Sequence, residues 1–180
     1  MTFPRIAKQY RIVLSGAFAV ALIYFSQPTG ISLWTGLPLV ALGEAIRTWS
    51  SGHIRKNKEL ATDGPYAYTR NPLYLGSFLI GLGFVVTGNS VWVLLVFLIA
   101  FGVIYRGVIR YEEDDLARTF GRQFAQYVRT VPRFLPRPVR APYRAGGFDW
   151  ALVLKHREYH AWLGILGGVA VMVFKIFSTG

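Results

Sequence analysis

The chain has 180 residues, of which 53% are hydrophobic, 16% aromatic and only 16% charged, and it carries a net charge of +11. A soluble domain carries nearer a quarter charged residues, so the composition excludes an ordinary water-soluble globule, and the length leaves room for one domain, 1–180. The lack of cysteine excludes a disulfide framework, a thiolate metal site and a cysteine nucleophile, while basic residues flanking apolar runs point to anionic lipid rather than nucleic acid.

Residues 2–11 are short and basic, with Arg5, Lys8 and Arg11. The apolar run that follows has no convincing small-residue cleavage site, so no cleavable signal is expected. It predicts a first span over 12–26, short for a bilayer and rich in small residues for helix contact (Gly16, Ala17, Ala19, Ala21). The uncharged turn Gln27-Pro28-Thr29-Gly30 leads to a second span over 31–50. A polar stretch, 51–75, precedes a second hairpin of spans, 72–88 and 90–109, with its turn at Gly88-Asn89. Pro72 opens that hairpin at a first-turn position, where a missing N–H costs nothing. The segment 106–136 is polar and helical in pattern up to Thr130, and Pro132, Pro136, Pro138 and Pro142 break it. An amphipathic surface helix is expected from Phe148 to Tyr159, then a last span over 160–177 with Gly164 and Gly168 spaced for helix packing.

The expected fold is therefore an all-α integral membrane bundle of about five transmembrane helices. The turns at 26–30 and 88–90 contain no Lys or Arg, and the basic residues gather in the N-terminus, 47–70 and 106–157. The positive-inside rule then puts the N-terminus and both polar segments, 51–75 and 106–136, in the cytoplasm. In a bacterium this would be the inner membrane. The oligomeric state is not written in the sequence.

Within 104–122, Arg106, Arg110, Asp114, Arg118 and Arg122 recur every four residues as a charged stripe, most simply a solvated face. Glu112 has Tyr105, Val108, Ile109 and Leu116 as helical neighbours, with Glu113 at the edge of that face. A carboxylate there needs a polar ligand or a basic partner from 47–70; Asp115, by contrast, reads as a solvated charge. Glu44 lies inside the second span, where an ionisable residue is a functional candidate by default; a local pair with Arg47 explains it equally well. His156 and His160 have the spacing of a metal pair, but no acid accompanies them on one face, so no metal site is expected.

Two blocks in order carry a resemblance. Gly64-Pro65-Tyr66-x-Tyr68-x-Arg70-Asn71-Pro72-x-Tyr74-x-Gly76 and Glu112-Glu113-x-x-Leu116-x-x-x-Phe120-Gly121 through Val131-Pro132-Arg133-Phe134-Leu135-Pro136 resemble the signatures of isoprenylcysteine carboxyl and phospholipid N-methyltransferases. The resemblance implies transfer of a methyl group from S-adenosylmethionine to a lipophilic acceptor in the membrane. It implies cofactor contacts from Lys58, Glu59, Leu60 and Ala61, from Tyr66, Arg70, Asn71, Pro72, Leu73 and Tyr74, and from Glu112. Two departures stand out: Asn71 replaces the usual histidine, and Val108 stands where many relatives have an arginine that engages the acceptor. Arg106 and Arg110 lie two residues either side of Val108, and with Glu113 they are the candidate catalytic residues. Steroid 5-alpha-reductase-type enzymes carry a similar first block, so a nicotinamide-dependent reductase and a catalytically silent scaffold are the alternatives.

Overall fold

The computed structural model describes residues 16, 18–55, 59–138 and 147–179, and among these every regular element is helical and no strand occurs. A first helix, α1, covers 18–25 of the described residues; the rest of the expected first span lies outside them. Then come α2 (Gly30–Ser51), a 3-10 turn (Gly64–Ala67), α3 (Pro72–Thr87), α4 (Val91–Thr130), α5 (Trp150–Lys155) and α6 (Tyr159–Thr179).

Helix ends follow the punctuation of the sequence. Thr29 and Ser32 form a reciprocal capping box at the start of α2, with the Thr29 hydroxyl accepting from Ser32 N at 3.1 Å and Ser32 Oγ accepting from Thr29 N at 2.8 Å. Pro72 sits in the first turn of α3, and Asn89 makes the next turn with φ of 50°. Gln27 N donates to Gly88 O at 2.8 Å, tying the two short turns together at one end of the bundle. Lys175 of α6 closes the same end, donating to Ile23 O and Ser26 O at 2.7 Å each and so capping the C-terminus of α1.

The antiparallel pair α2–α3 packs backbone to backbone. A Cβ on Gly43 would lie 2.6 Å from the Gly76 carbonyl oxygen, and one on Gly83 would lie 2.7 Å from that of Gly36. Small residues at these positions let the two backbones approach closely and supply the dispersion contact that holds the helices together. Gly43→Ala is expected to cost about 1–3 kcal/mol, the usual penalty for overpacking. Gly164→Ala, with nothing within 4 Å, should cost little. Melting curves of both variants in detergent measure the difference.

Around this pair, Leu22, Val85, Val93, Phe97 and Met172 form a core joining α1, α3, α4 and α6. The segment read as polar and helical in pattern up to Thr130 continues the helix begun by the apolar run before it. α4 runs 40 residues, about 60 Å at 1.5 Å per residue, and its helical geometry is interrupted at Gly121, with φ 47° and ψ −114°. Beyond that break, Phe124, Tyr127 and Val131 pack with Leu60, Leu116 and Phe120 into a second core. The expected surface helix at 148–159 is also divided: α5 ends at Lys155, and Arg157, with φ of 58°, turns the chain into α6.

Among the described residues, α4 and the stretch Tyr159–Ser178 of α6 are long and apolar enough to cross a membrane, while α3 is apolar but shorter, at 16 residues.

Candidate functional site

Where α2, α3 and α4 meet the polar segments, the chain encloses a cavity of about 750 Å³, within the range of small-molecule and cofactor sites. The loop after α2 gives Ile54, Arg55, Glu59, Leu60 and Ala61 to its wall. The 3-10 turn and the start of α3 add Tyr66 and the run from Arg70 to Tyr74, and α4 adds Tyr105, Tyr111, Glu112, Asp115 and Leu116.

The turn that holds Tyr66 is set by Gly64, whose φ of 53° few other residues tolerate and whose open side faces the His53 ring. From there the two signature blocks are joined strand-fashion without forming a strand. Arg70 N donates to Pro132 O at 2.9 Å, Arg137 N to Tyr68 O at 3.2 Å, and the Thr69 hydroxyl to Phe134 O at 2.9 Å. Tyr127 Oη, buried, donates to Tyr66 O at 2.7 Å. The side-chain amide of Asn71 donates to Arg133 O at 2.9 Å, so its donor serves the join between the blocks.

An ion-pair clamp reinforces that join. Glu113 is buried, and its carboxylate accepts from Arg70 at 2.9 Å and from Arg133 at 2.7 Å. Burial pulls the Arg70 guanidinium below its ordinary range, and Glu113 pulls it back up against the smaller opposing effect of Arg133. Arg70 Nε, buried, has no hydrogen-bond partner. The basic partner from 47–70 anticipated for Glu112 therefore belongs to its neighbour.

Glu112 itself stands at the cavity wall and accepts from Tyr74 Oη at 2.5 Å. Tyr74 packs edge-on against Tyr105 (centroids 5.1 Å apart), which stacks on Phe101 at 3.8 Å. These contacts fix the phenol that orients the carboxylate. Burial first, then Tyr127 and Glu112, pushes the Tyr66 hydroxyl well above the usual phenol range, so it remains a neutral hydrogen-bonding group at working pH.

Of the candidate residues, Glu59, Leu60, Ala61, Tyr66, Arg70, Asn71, Pro72, Leu73, Tyr74 and Glu112 line this one cavity. Lys58 lies outside the described residues. Arg106 and Arg110 are exposed on α4 and, like Glu113, do not line it. Asp115, read as a solvated charge, is exposed but belongs to the wall.

Sequence reasoning did not anticipate the far wall, where Arg47, Ser51 and Ser77 meet His156 and Glu158 from the α5–α6 junction. Arg47 pairs with Glu158 at 2.5 Å and donates to Ser77 Oγ, whereas its Nε is 3.9 Å from Glu44. Ser51 Oγ donates to Glu158 at 3.1 Å, and His156 Nε2 lies 3.0 Å from Ile54 O. The Glu44–Arg47 pair expected inside α2 is thus the weaker of the two. Arg47 and Glu158 stand 111 positions apart, and no local pattern in the sequence signals the link. No group of three or more His, Asp or Glu side chains among the described residues is placed to hold a metal ion.

A family model described as phospholipid methyltransferase matches residues 31–123, from α2 through Glu112 and Glu113 on α4. The chain is 36% identical over 135 residues to the cobalt-zinc-cadmium resistance protein CzcN of Cupriavidus metallidurans, a match covering 71% of this chain and 62% of that protein. It is 35% identical over 137 residues to the nickel-cobalt-cadmium resistance protein NccN of Alcaligenes xylosoxydans xylosoxydans, covering 71% and 63%. It is 35% identical over 115 residues to the protein-S-isoprenylcysteine O-methyltransferase of Schizosaccharomyces pombe, covering 57% and 48%. The chain thus spans less than two thirds of the length of these relatives. No solved structure matches it.

Proposed function

The chain belongs to the phospholipid methyltransferase family, and from that membership we propose that it transfers a methyl group from S-adenosylmethionine to a lipophilic acceptor at a membrane. S-adenosylmethionine supplies an electrophilic methyl carbon on a sulfonium. The observation that carries the reading is the Glu112 carboxylate, held by Tyr74 at the wall of the cavity that gathers most of the candidate cofactor residues.

The donor set fits the cofactor. Four carboxylates line the cavity (Glu59, Glu112, Asp115, Glu158) against three guanidiniums (Arg47, Arg55, Arg70), a difference of one negative charge between the two sets. The cofactor, with its ammonium, sulfonium and carboxylate, is a net monocation at neutral pH. Glu112 and Glu59 offer acceptors to the ammonium or the ribose hydroxyls, and the faces of Tyr66, Tyr74 and Tyr105 offer cation–π attraction of about 0.5–2 kcal/mol. Methyl transfer needs an in-line approach, so holding both partners in register provides most of the rate. Tyr66, Tyr74 and Tyr105, with Leu60, Leu73 and Phe120, give the cavity an aromatic and apolar lining that would limit water around the reacting atoms. With Val108 in place of arginine, a carboxylate acceptor has no paired hydrogen bonds on that part of α4, which favours an uncharged or amine nucleophile on a lipid.

Titrating purified protein with S-adenosylhomocysteine and with NADPH tests the reading. Binding of the first and not the second is expected; binding of NADPH alone would favour a reductase, and binding of neither would favour a silent scaffold.

We further propose five spans, with α1, α2 and α3 joining α4 and α6, and with the N-terminus and the cavity in the cytoplasm. The charge bias supports this, since the turns at 26–30 and 88–90 lack Lys and Arg. A reporter after Gly180 should then report the outside and one near Gly146 the cytoplasm. The same side for both would mean that α6 does not cross.

A further inference from the structure

Where α2 meets α6, the cavity already described backs onto an open apolar groove of about 670 Å³. Glu44 and Thr48 of α2 line the groove together with Trp162 of α6. Arg47 of α2 and Glu158, just before α6, line the first cavity and not the groove. The ion pair between them is therefore part of the partition between the two spaces.

Arg47 has a second carboxylate close at hand. Its Nε and Nη2 meet Glu158 Oε1 at 2.7 and 2.5 Å, and its Nη1 donates to Ser77 Oγ. Its Nε also lies 3.9 Å from Glu44 Oε2, three residues earlier on the same helix. That oxygen is buried and has no hydrogen-bond partner. Glu44 Oε1, by contrast, accepts from Trp162 Nε1 at 2.7 Å and from Thr48 Oγ1 at 3.0 Å. Two carboxylates thus compete for one guanidinium, and the one left over keeps only neutral donors. Glu44 keeps two of them, whereas Glu158 would keep the Ser51 hydroxyl alone. Pairing with Glu158 is the less costly arrangement, since each hydrogen bond to a buried carboxylate offsets part of its desolvation. The two arrangements differ by about one hydrogen bond, a gap that leaves the second one populated as a minor state.

We propose that Arg47 is a two-position switch that moves between Glu158 and Glu44 and so controls exchange of ligand with the first cavity. In the position seen, Arg47 ties three elements together. It holds Glu158 at the α5–α6 junction, and it holds Ser77 of α3, whose hydroxyl donates to the carbonyl of the cavity residue Leu73 at 2.9 Å. A pair with Glu44 lies along α2 itself, at the i,i+3 spacing of helical neighbours. Moving there releases both ties and loosens the far wall of the cavity. The guanidinium keeps a counter-charge in either position, which a buried pair with a single partner cannot offer when it opens. The switch requires no assumption about the chemistry in the cavity; only the exchange measurement rests on the proposed cofactor.

Melting curves of full-length Glu44→Gln, Glu158→Gln and the double variant in detergent test the two positions. Glu158→Gln lets Arg47 pair with Glu44, so its melting temperature should fall by only about 2–4 °C. Glu44→Gln alone should do less. The double variant leaves a buried guanidinium without a counter-charge, and its shift should clearly exceed the sum of the two single shifts. Additive shifts would overturn the proposal. Stopped-flow exchange of S-adenosylhomocysteine reads the consequence. Glu44→Gln should slow association and dissociation together, about fivefold or more, with Kd nearly unchanged. Glu158→Gln should speed dissociation by a similar factor. A fixed clamp gives wild-type rates in Glu44→Gln, and that result would equally rule the switch out. If S-adenosylhomocysteine does not bind at all, the methyltransferase reading fails and the melting curves alone decide this one.

Discussion

Glu112→Gln is expected to weaken binding of S-adenosylhomocysteine by roughly ten- to a hundredfold while leaving the melting temperature near that of wild type. The substitution keeps the shape and an acceptor for Tyr74 Oη but removes the charge. A hydrogen bond to a charged group is worth about 1.5–3 kcal/mol, which converts to that change in affinity. Asp114→Asn is the control: Asp114 is exposed on the same helix and absent from the cavity wall, so it should bind as wild type does. Isothermal titration of the three proteins in detergent, with melting curves on the same samples, gives the comparison. Equal affinity for wild type and Glu112→Gln would take Glu112 out of the cofactor site and remove the main support for the proposed chemistry.

One residue further on, the expected effect has the opposite character. Glu113→Gln should cost about 3 kcal/mol of stability, because it leaves the buried Arg70 guanidinium without its counter-charge. That figure is at the low end for a broken buried pair, since Arg133, the second partner, is half exposed and can turn to water. The join between the two signature segments passes through this clamp, so its loss should appear as an earlier unfolding transition. Cofactor affinity measured below that transition should change less than in Glu112→Gln. A variant of unchanged stability but sharply reduced affinity would put Glu113 in the binding site instead.

Adjacent carboxylates with such different fates show what the sequence could and could not reveal. Residues i and i+1 of a helix point about 100° apart, so Glu112 and Glu113 had to face different surroundings, but periodicity alone did not say which would meet an arginine. The punctuation of the helices was legible, because Pro72 and Gly88-Asn89 act through local backbone geometry. The family resemblance was legible too, because its residues lie in two short blocks. Less legible were pairings between distant elements. Arg47 with Glu158 and Glu44 with Trp162 depend on how α6 returns against α2, which no local pattern encodes. Asn71 stood out only as a departure from the usual histidine, and nothing local showed that its donor would be committed to the Arg133 carbonyl. Gly36 and Gly43, and Gly76 and Gly83, share a seven-residue spacing, a readable sign of close packing that is clearer than the Gly164–Gly168 pair, where nothing lies within 4 Å of a Cβ at Gly164.

Those paired glycines also determine where the chain can gain or lose residues. Gly36 meets Gly83 and Gly43 meets Gly76 across one antiparallel seam. One residue inserted between Gly36 and Gly43 would rotate one glycine about 100° away from its partner relative to the other, and a compensating change in α3 would be needed to restore both. An insertion between Ser51 and Asp63 lies outside both helices and moves neither glycine relative to its neighbour, though it would lengthen the strip that carries Glu59 and Leu60. Length variation is thus tolerated by the scaffold where it reshapes the cavity, and resisted where it would separate α2 from α3.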